Sequence, residues 1–459
     1  MPSESEISNK SEATATKEPL SFWLSFLALN TTVFIVSLDS TALAVAVPRI
    51  TQDLHGTTLE AFWTNISFIL AIVVTQPIHT SLSDVLGRKI LLYAAFFFFG
   101  LGSIVFAGLG GGGLDVLSEI ILADITTLKE RLLYLGLYAL PIAGGGVCGP
   151  LIGAAISEFV DWRRIDWINL PIIIVSVVLS IFSLHLRRPS DLLFRLMLAR
   201  LYLMGTLLFA IGSTVFALPL SWAGFMYSWS PWRTILPLVI AEPVFPYRIF
   251  SNRMAVVTLV GATAHGAVLY SILLYILFFF QAVALETPFK SAVSVLPLGD
   301  GIIGLSIFGV VDVETIIPAI GVGTLFTILT IPMTANVKNV DDMGIVAGII
   351  VSFRLFGALV GLAICSTVFN NVFEQRISSI VLSESLEALG DPREAIGFIP
   401  ALRVLDLEPS MLVEVIDAYR LSMMAVFLTL VGIGEIGLFA SVFTTRSSQS
   451  KERGWAGSN

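Results

Sequence analysis

The chain of 459 residues is 56% hydrophobic and only 13% charged, with a net charge of −8 and a mean hydropathy of +0.88. Soluble globular domains carry about 25% charged residues, so the composition excludes one and points to a polytopic membrane protein. No basic stripe is present to support nucleic-acid binding.

In chain order, residues 1–19 are rich in Ser, Thr, Glu and Lys and predict a disordered cytoplasmic tail. Apolar runs of roughly twenty residues come next, the length that crosses the ~30 Å hydrocarbon core as a helix. Strand-like alternation is absent, which favours an all-α protein over a barrel. Spans are predicted near 20–47, 60–82, 90–110, 112–127, 132–157, 166–186, 199–220, 254–284, 291–311, 316–333, 344–372 and 421–444, twelve in all. A further apolar run, Ile235 to Ile240, is too short to cross unaided. The first run is too long for the core of a signal peptide and contains Asp39, so it is read as a span that stays. The expected organisation is a six-helix bundle over 20–186, a linker and extra-span region over 187–253, a second bundle over 254–445 with a large folded loop at 374–420, and a tail from 446 to 459.

Lys and Arg gather in cytoplasmic loops. With the N-terminus inside, those loops hold Arg88, Lys89, Lys129, Arg131, Arg187, Arg188, Arg195 and Arg200, against Arg49, Arg163 and Arg164 outside. The first six spans therefore have a readable topology. Arg248 and Arg253 become cytoplasmic only if the short run at 235–240 crosses. Cys148 and Cys365 both lie in apolar spans, which excludes a disulfide framework. Neither a zinc spacing nor a phosphate-binding loop appears, so no metal or cofactor is expected and ATP-driven export is disfavoured.

Three stretches carry more than composition. In "HTSLSDVLGRK", residues 79–89, Gly87 permits a sharp turn between antiparallel helices, Asp84 ends one span, and Arg88 and Lys89 hold the joint on the cytoplasmic face. Charge alone would suit an ordinary positive-inside hairpin. In "GGGVCGPLIGAA", residues 144–155, Gly145, Gly149 and Gly153 put small residues on a helix face and Pro150 removes a backbone hydrogen bond. Plain helix packing would use the same residues. In "LDSTALAVAVPRI", residues 38–50, Asp39 lies at hydrocarbon depth, where a charge costs several kcal/mol unless paired, hydrated or protonated. Either it faces a proton or substrate pathway, or Ser37 or Thr41 holds it near the interface. Glu119, Asp124, His265, Arg354 and Glu435 also fall in or near spans, where each either faces a central cavity, with Arg354 the best candidate, or makes a satisfied structural contact between helices. The aromatic cluster Trp222, Tyr227, Trp229 and Trp232 reads as an interfacial belt.

The first stretch resembles the loop signature of the major facilitator superfamily, matched at Leu82, Asp84, Gly87, Arg88 and Lys89, with Thr80 in place of the leading Gly. The resemblance implies two six-helix bundles, alternating access, and a loop that clamps the bundles on one side. The second is similar to the fifth-span antiporter motif of exporters. The third looks like the first-span signature of the fourteen-span drug:proton antiporter branch. "ALETPFKSAVSVLPL" (284–298) and the loop before the last span also resemble its fungal members.

The chain departs from that pattern. Ile104 and Ala107 occupy the places of the fourth-span Arg and Gln ahead of the Gly-rich run Gly108 to Gly113. Residues 90–127 reach about 57 Å as a helix, slightly less than two crossings of ~30 Å and a turn need. Two later joints also look cut. The reading is a fourteen-span relative with internal losses, or else a natural twelve-span member. The resemblance implies an exporter of drugs, toxins or secondary metabolites, exchanging them for protons as a monomer, in the plasma membrane or, alternatively, the vacuolar membrane. Its partners would be a small-molecule substrate, protons and the lipid bilayer. An enzyme is not expected; an inactive remnant or a non-transporting membrane sensor is the alternative.

Overall fold

The computed structural model of the chain describes residues 19–103, 108–126, 130–184, 211, 212, 215, 253–304, 343–380, 395–404 and 408–442. All regular structure among them is helical: α1 (Leu20–Asp53), α2 (Thr58–Leu86), α3 (Arg88–Gly102), α4 (Gly108–Ile125), α5 (Arg131–Phe159), a 3-10 turn at Trp162–Ile168, α6 (Asn169–Ser183), α7 (Arg253–Ala282), α8 (Pro288–Gly304), α9 (Met343–Ile377), α10 (Ala395–Phe398), a second 3-10 turn at Ala401–Arg403, and α11 (Pro409–Val442). Among the described residues, six helical stretches are long and apolar enough to cross a membrane by length and composition.

Local chemistry sets the boundaries. α2 starts with a reciprocal cap: the Glu60 amide donates to the Thr57 hydroxyl at 3.3 Å, and the Thr57 amide donates to Glu60 Oε2 at 2.7 Å. It ends at Gly87, whose φ of 86° is open to glycine and strained for other residues, and the chain turns there directly into α3. α3 and α4 have 15 and 18 residues. At ~1.5 Å per residue they reach about 22 and 27 Å, short of a full crossing, as the sequence led us to expect.

Two helix pairs form the frame. α1 packs most extensively on α5, and α7 on α9. Gly145, Gly149 and Gly153 stand one turn apart on α5. A Cβ on Gly145 would lie 2.6 Å from the Phe34 carbonyl oxygen, and one on Gly149 would lie 2.7 Å from that of Leu38. A Cβ on Gly153 would overlap the Ala42 carbonyl. The second pair repeats the device: Gly357 abuts the Thr263 carbonyl, Gly266 abuts that of Arg354, and a Cβ on Gly361 would sit 2.6 Å from Ala267 Cα. Each crossing is therefore backbone against backbone.

The halves meet along two seams, α2 and α4 against α9, and α5 against α8. One continuous core runs through both, from Phe99 and Leu117 to Phe278, Phe369 and Tyr419. Large apolar side chains such as Phe97, Phe182, Leu438 and Phe439 face outward, as lipid contact requires. At one end, α10 and the turn after it bridge the halves. Gly397 meets Thr51 of α1, Arg403 Nη1 donates to the Glu286 carbonyl at 2.5 Å, and the Tyr419 hydroxyl donates to the Ala395 carbonyl at 2.5 Å. Burial draws the Arg403 guanidinium below its ordinary value, while the Glu158 carboxylate works against that shift.

Two boundaries differ from the sequence reading. α9 continues to Ile377 and α11 begins at Pro409, so both ends of the expected 374–420 loop are helical. Polar residues there ride on helices that extend beyond the apolar stretch. The expected spans 199–220 and 316–333, the run 235–240, the Trp222 to Trp232 cluster, Arg248 and both tails lie outside the described residues, apart from 211, 212 and 215.

Gly153→Ala is expected to cost about 1–3 kcal/mol through overpacking against α1. Gly432→Ala, with nothing within 4 Å of the added Cβ, is expected to be neutral or slightly stabilising. Thermal unfolding of the two variants in detergent checks the contrast.

Candidate transport interface

The seam between the halves holds charge where lipid-buried helices ordinarily exclude it. Asp115 and Glu119 stand one turn apart on α4, on one face of the helix. Gln76 of α2 donates through Nε2 to Asp115 Oδ2 at 2.9 Å. Its Oε1 accepts from the Ser352 hydroxyl of α9 at 2.9 Å. One amide thus bridges both halves. Arg354, 8% exposed on α9, lies within electrostatic range of both carboxylates. Tyr138 of α5 and Tyr270 of α7 are near the same charges, and the Tyr270 hydroxyl also reaches Ser40 of α1. His79 turns its ring toward Gly113, with Nδ1 2.9 Å from the Thr75 carbonyl.

Beside this cluster lies a small apolar cleft lined by Ser40, Thr41, Pro150, Tyr270, Leu274 and Leu362. Its free space of about 20 Å³ would hold about one water. Pro150 therefore faces the centre, while Gly145, Gly149 and Gly153 face α1 and serve packing. Described contacts close the seam on both sides of the cleft. Gly348 of α9 fits against Thr80 and Val116 at one end. At the other, the Phe289 amide at the start of α8 donates to Glu158 Oε2 of α5 at 3.0 Å, and Phe159 packs edge-on against Phe289.

The gating-loop residues separate. Arg88 forms an ion pair with Asp124 at the end of α4. Lys89 Nζ donates to the Leu184 carbonyl at 2.8 Å, closing the C-terminus of α6. Both ties stay within the first half. The side chain of Asp84 lies outside the described residues, as do Ile104 and Ala107.

Asp39 is buried on the far side of α1 from the cleft. Asn169 Nδ2 of α6 donates to its Oδ1 at 2.5 Å and also approaches Ser103 Oγ at 3.3 Å. Neither Ser37 nor Thr41 holds it; their hydroxyls reach the backbone of α5 at Ile142 and Gly145. Glu119 and Arg354 belong to the seam, and His265 is buried on α7 beside the α9 crossing. Asp124 and Glu435 are exposed instead of lining a cavity. Sequence reasoning missed Gln76 and Asp115. The signal for Asp115 was its spacing of four from Glu119; Gln76, a neutral amide in an apolar run, gave none.

Taken together, these features define an all-helical, multi-pass integral membrane protein whose two halves meet around a buried polar seam. A sequence model described as Major Facilitator Superfamily matches residues 29–381, and the chain belongs to that superfamily. The "MFS-type transporter sphD" of Aspergillus fumigatus is 38% identical over 497 aligned positions, covering 93% of this chain and 86% of its own length. The "Efflux pump FUS6" of Gibberella fujikuroi is 30% identical, covering 80% and 79%. Among solved structures, a bacterial homologue of the human lysosomal transporter Spinster, inward-facing and occupied, matches with a TM-score of 0.55 at 14% identity, covering 91% of this chain and 96% of that one; the likeness is one of fold. The family and these relatives make the chain a membrane transporter of small molecules rather than an enzyme. The alignment of 497 positions is longer than the 459-residue chain itself, so that relative carries internal stretches with no counterpart here.

Removing Asn169 would leave the buried Asp39 carboxylate without its donor, at a cost of about 1–3 kcal/mol. Asn169→Leu is therefore expected to lower the unfolding temperature more than the Asp39→Leu/Asn169→Leu double variant does. A double-mutant cycle by thermal unfolding in detergent checks it.

Proposed function

We propose that the chain exports small organic molecules (drugs, toxins or secondary metabolites) in exchange for protons, by alternating access, as a monomer in the plasma membrane. The observation that carries this reading is the seam: carboxylates, a guanidinium and a bridging amide buried between two helix bundles, beside a cleft with Pro150 in its wall. A charge buried that deep costs several kcal/mol unless it is compensated or works. The relatives named as efflux pumps and the fifth-span glycines support the outward direction. Glu119 and Arg354 face the pathway. Asp39 and His265 stand one layer behind it, and the turn at Asp84, Gly87, Arg88 and Lys89 gates it by holding α3, α4 and the end of α6 together as the first half moves.

A fourteen-span plan with internal losses accounts for the short α3 and α4 and for the aligned positions that this chain lacks. The same observation favours a second reading, in which the chain as it stands is an inactive remnant.

Inverted membrane vesicles and rhodamine 6G as probe separate these readings. A version with the missing stretches restored from the Aspergillus fumigatus relative is expected to load the dye under a proton gradient and to stop when an uncoupler is added. The present chain should load at least an order of magnitude more slowly. Loading that survives the uncoupler would rule out proton coupling. Equal loading by both versions would rule out a functional loss. In the restored version, Asp84→Asn and Arg88→Ala should lower the loading rate more than the protein level; a matched fall in both would reduce the loop to a topology signal.

A further inference from the structure

We infer that residues 395–404, with α10 at their start, form a strap that holds the outer ends of the two halves together and must lift from α1 before the pathway opens outward. The inference rests on the alternating-access reading above, but not on proton coupling.

The strap lies at the end of the molecule opposite the Gly87 turn, which the Lys and Arg count makes the outer face. Connecting segments ordinarily run over the surface. Here Ala395, Ile396 and Ile399 are fully buried and Leu402 is 2% exposed, so the stretch is a packed element. α10 sits on α1 and α2 of the first half. Gly397 makes a close approach there: a Cβ on it would lie 3.0 Å from Thr51 Cγ2 and 3.6 Å from Thr51 Cβ. Both ends of the strap are tied to the second half. At its start the Tyr419 hydroxyl of α11 donates to the Ala395 carbonyl at 2.5 Å. At its end Arg403 Nη1 donates at 2.5 Å to the carbonyl of Glu286, between α7 and α8. Tyr419 is itself fully buried against Phe369 and Phe373 of α9, so that anchor belongs to the core of the second half.

This arrangement decides which contact parts. The chain carries the strap from α9 into α11, and both hydrogen bonds pin it to their half, so it travels with the second half. Pulling it off Tyr419 would leave a buried hydroxyl and a buried carbonyl unpaired, which is costly. Lifting it from α1 leaves no such debt at Thr51, whose hydroxyl already donates to the Val47 carbonyl of its own helix at 2.8 Å. The seat is therefore the separable joint. It adds apolar contact to the outer ties from Phe289 to Glu158 and from Gln281 to Val45, and so favours the outer-closed form. The size of residue 397 sets how firmly the seat closes.

The test reads distance and needs no transport. Spin labels go on Leu101→Cys at the outer end of α3 and Val413→Cys near the start of α11, both exposed, in a background carrying Cys148→Ala and Cys365→Ala. A second pair, Ile90→Cys and Leu438→Cys, reports the inner face. Pulsed electron resonance on the purified full chain measures both. Gly397→Leu should overpack the seat and raise the share of the longer outer distance roughly ten-fold, while the inner distances stay or shorten. Gly397→Ala should do the same more weakly. Adding Thr51→Ser, which removes the Cγ2 methyl in its way, should return the parent distribution. Outer distances that ignore Gly397→Leu, or both pairs lengthening together, overturn the strap. If Gly397→Leu does not elute as a single peak, Gly397→Ala decides: a rise reversed by Thr51→Ser supports the strap. No rise, or a rise that Thr51→Ser leaves in place, overturns it. Dye loading that survives an uncoupler would remove proton-driven export without touching the strap, and unmoved distances would remove the strap without touching export.

Discussion

The structure depends on how closely two helix backbones approach when no Cβ stands between them. In lipid, apolar side chains gain little by leaving one greasy environment for another, so tight van der Waals contact must hold the helices together. Gly145, Gly149 and Gly153 provide that contact to α1, and Gly266, Gly357 and Gly361 provide it between α7 and α9. Each crossing fixes the rotation of two helices at once. With α1 pinned by its backbone, Ser40 and Thr41 turn to the central cleft and Asp39 turns the other way, to Asn169. With α9 pinned by Gly357 and Gly361, Ser352 and Arg354 are presented to the first half.

The polar groups divide according to what they join. Arg88 to Asp124, Lys89 to the end of α6, and Asp39 to Asn169 join helices of one half. Gln76, Asp115, Ser352 and Arg354 join the halves. The first group can stay intact through a rigid-body movement, and the second cannot. The Phe289 amide on Glu158 and the Gln281 amide on the Val45 carbonyl also join the halves, so parting the bundles breaks ties along the seam and not only beside the cleft.

The helical class, most helix positions and the glycine stripe were legible in the sequence, because length, hydropathy and small-residue spacing are one-dimensional signals. The turn at Gly87 was legible for the same reason, since a left-handed position names its residue. The partner of Asp39 was not: Asn169 lies 130 positions away, and Ser37 and Thr41 were nearer in sequence but turned to α5. Gln76 was invisible because an amide in an apolar run declares nothing until Asp115 and Ser352 are seen on either side of it. The beginning of α11 at Pro409 was misjudged because an amphipathic helical extension reads like loop until it packs, here through Ala418 and Tyr419.

Thr80 stands where the superfamily loop signature has Gly, and across the seam Gly348 is the residue that gives way, 3.3 Å from the Thr80 hydroxyl for any Cβ it might carry. The two bundles are therefore matched like a key and its own lock cylinder. A Cβ on Gly348 would lie 3.1 Å from Val116 Cγ2 and 3.3 Å from the Thr80 hydroxyl, so those side chains would have to give by a few tenths of an ångström. The fit at this end of the seam is thus set by both bundles at once, and a change on either side is felt by the other.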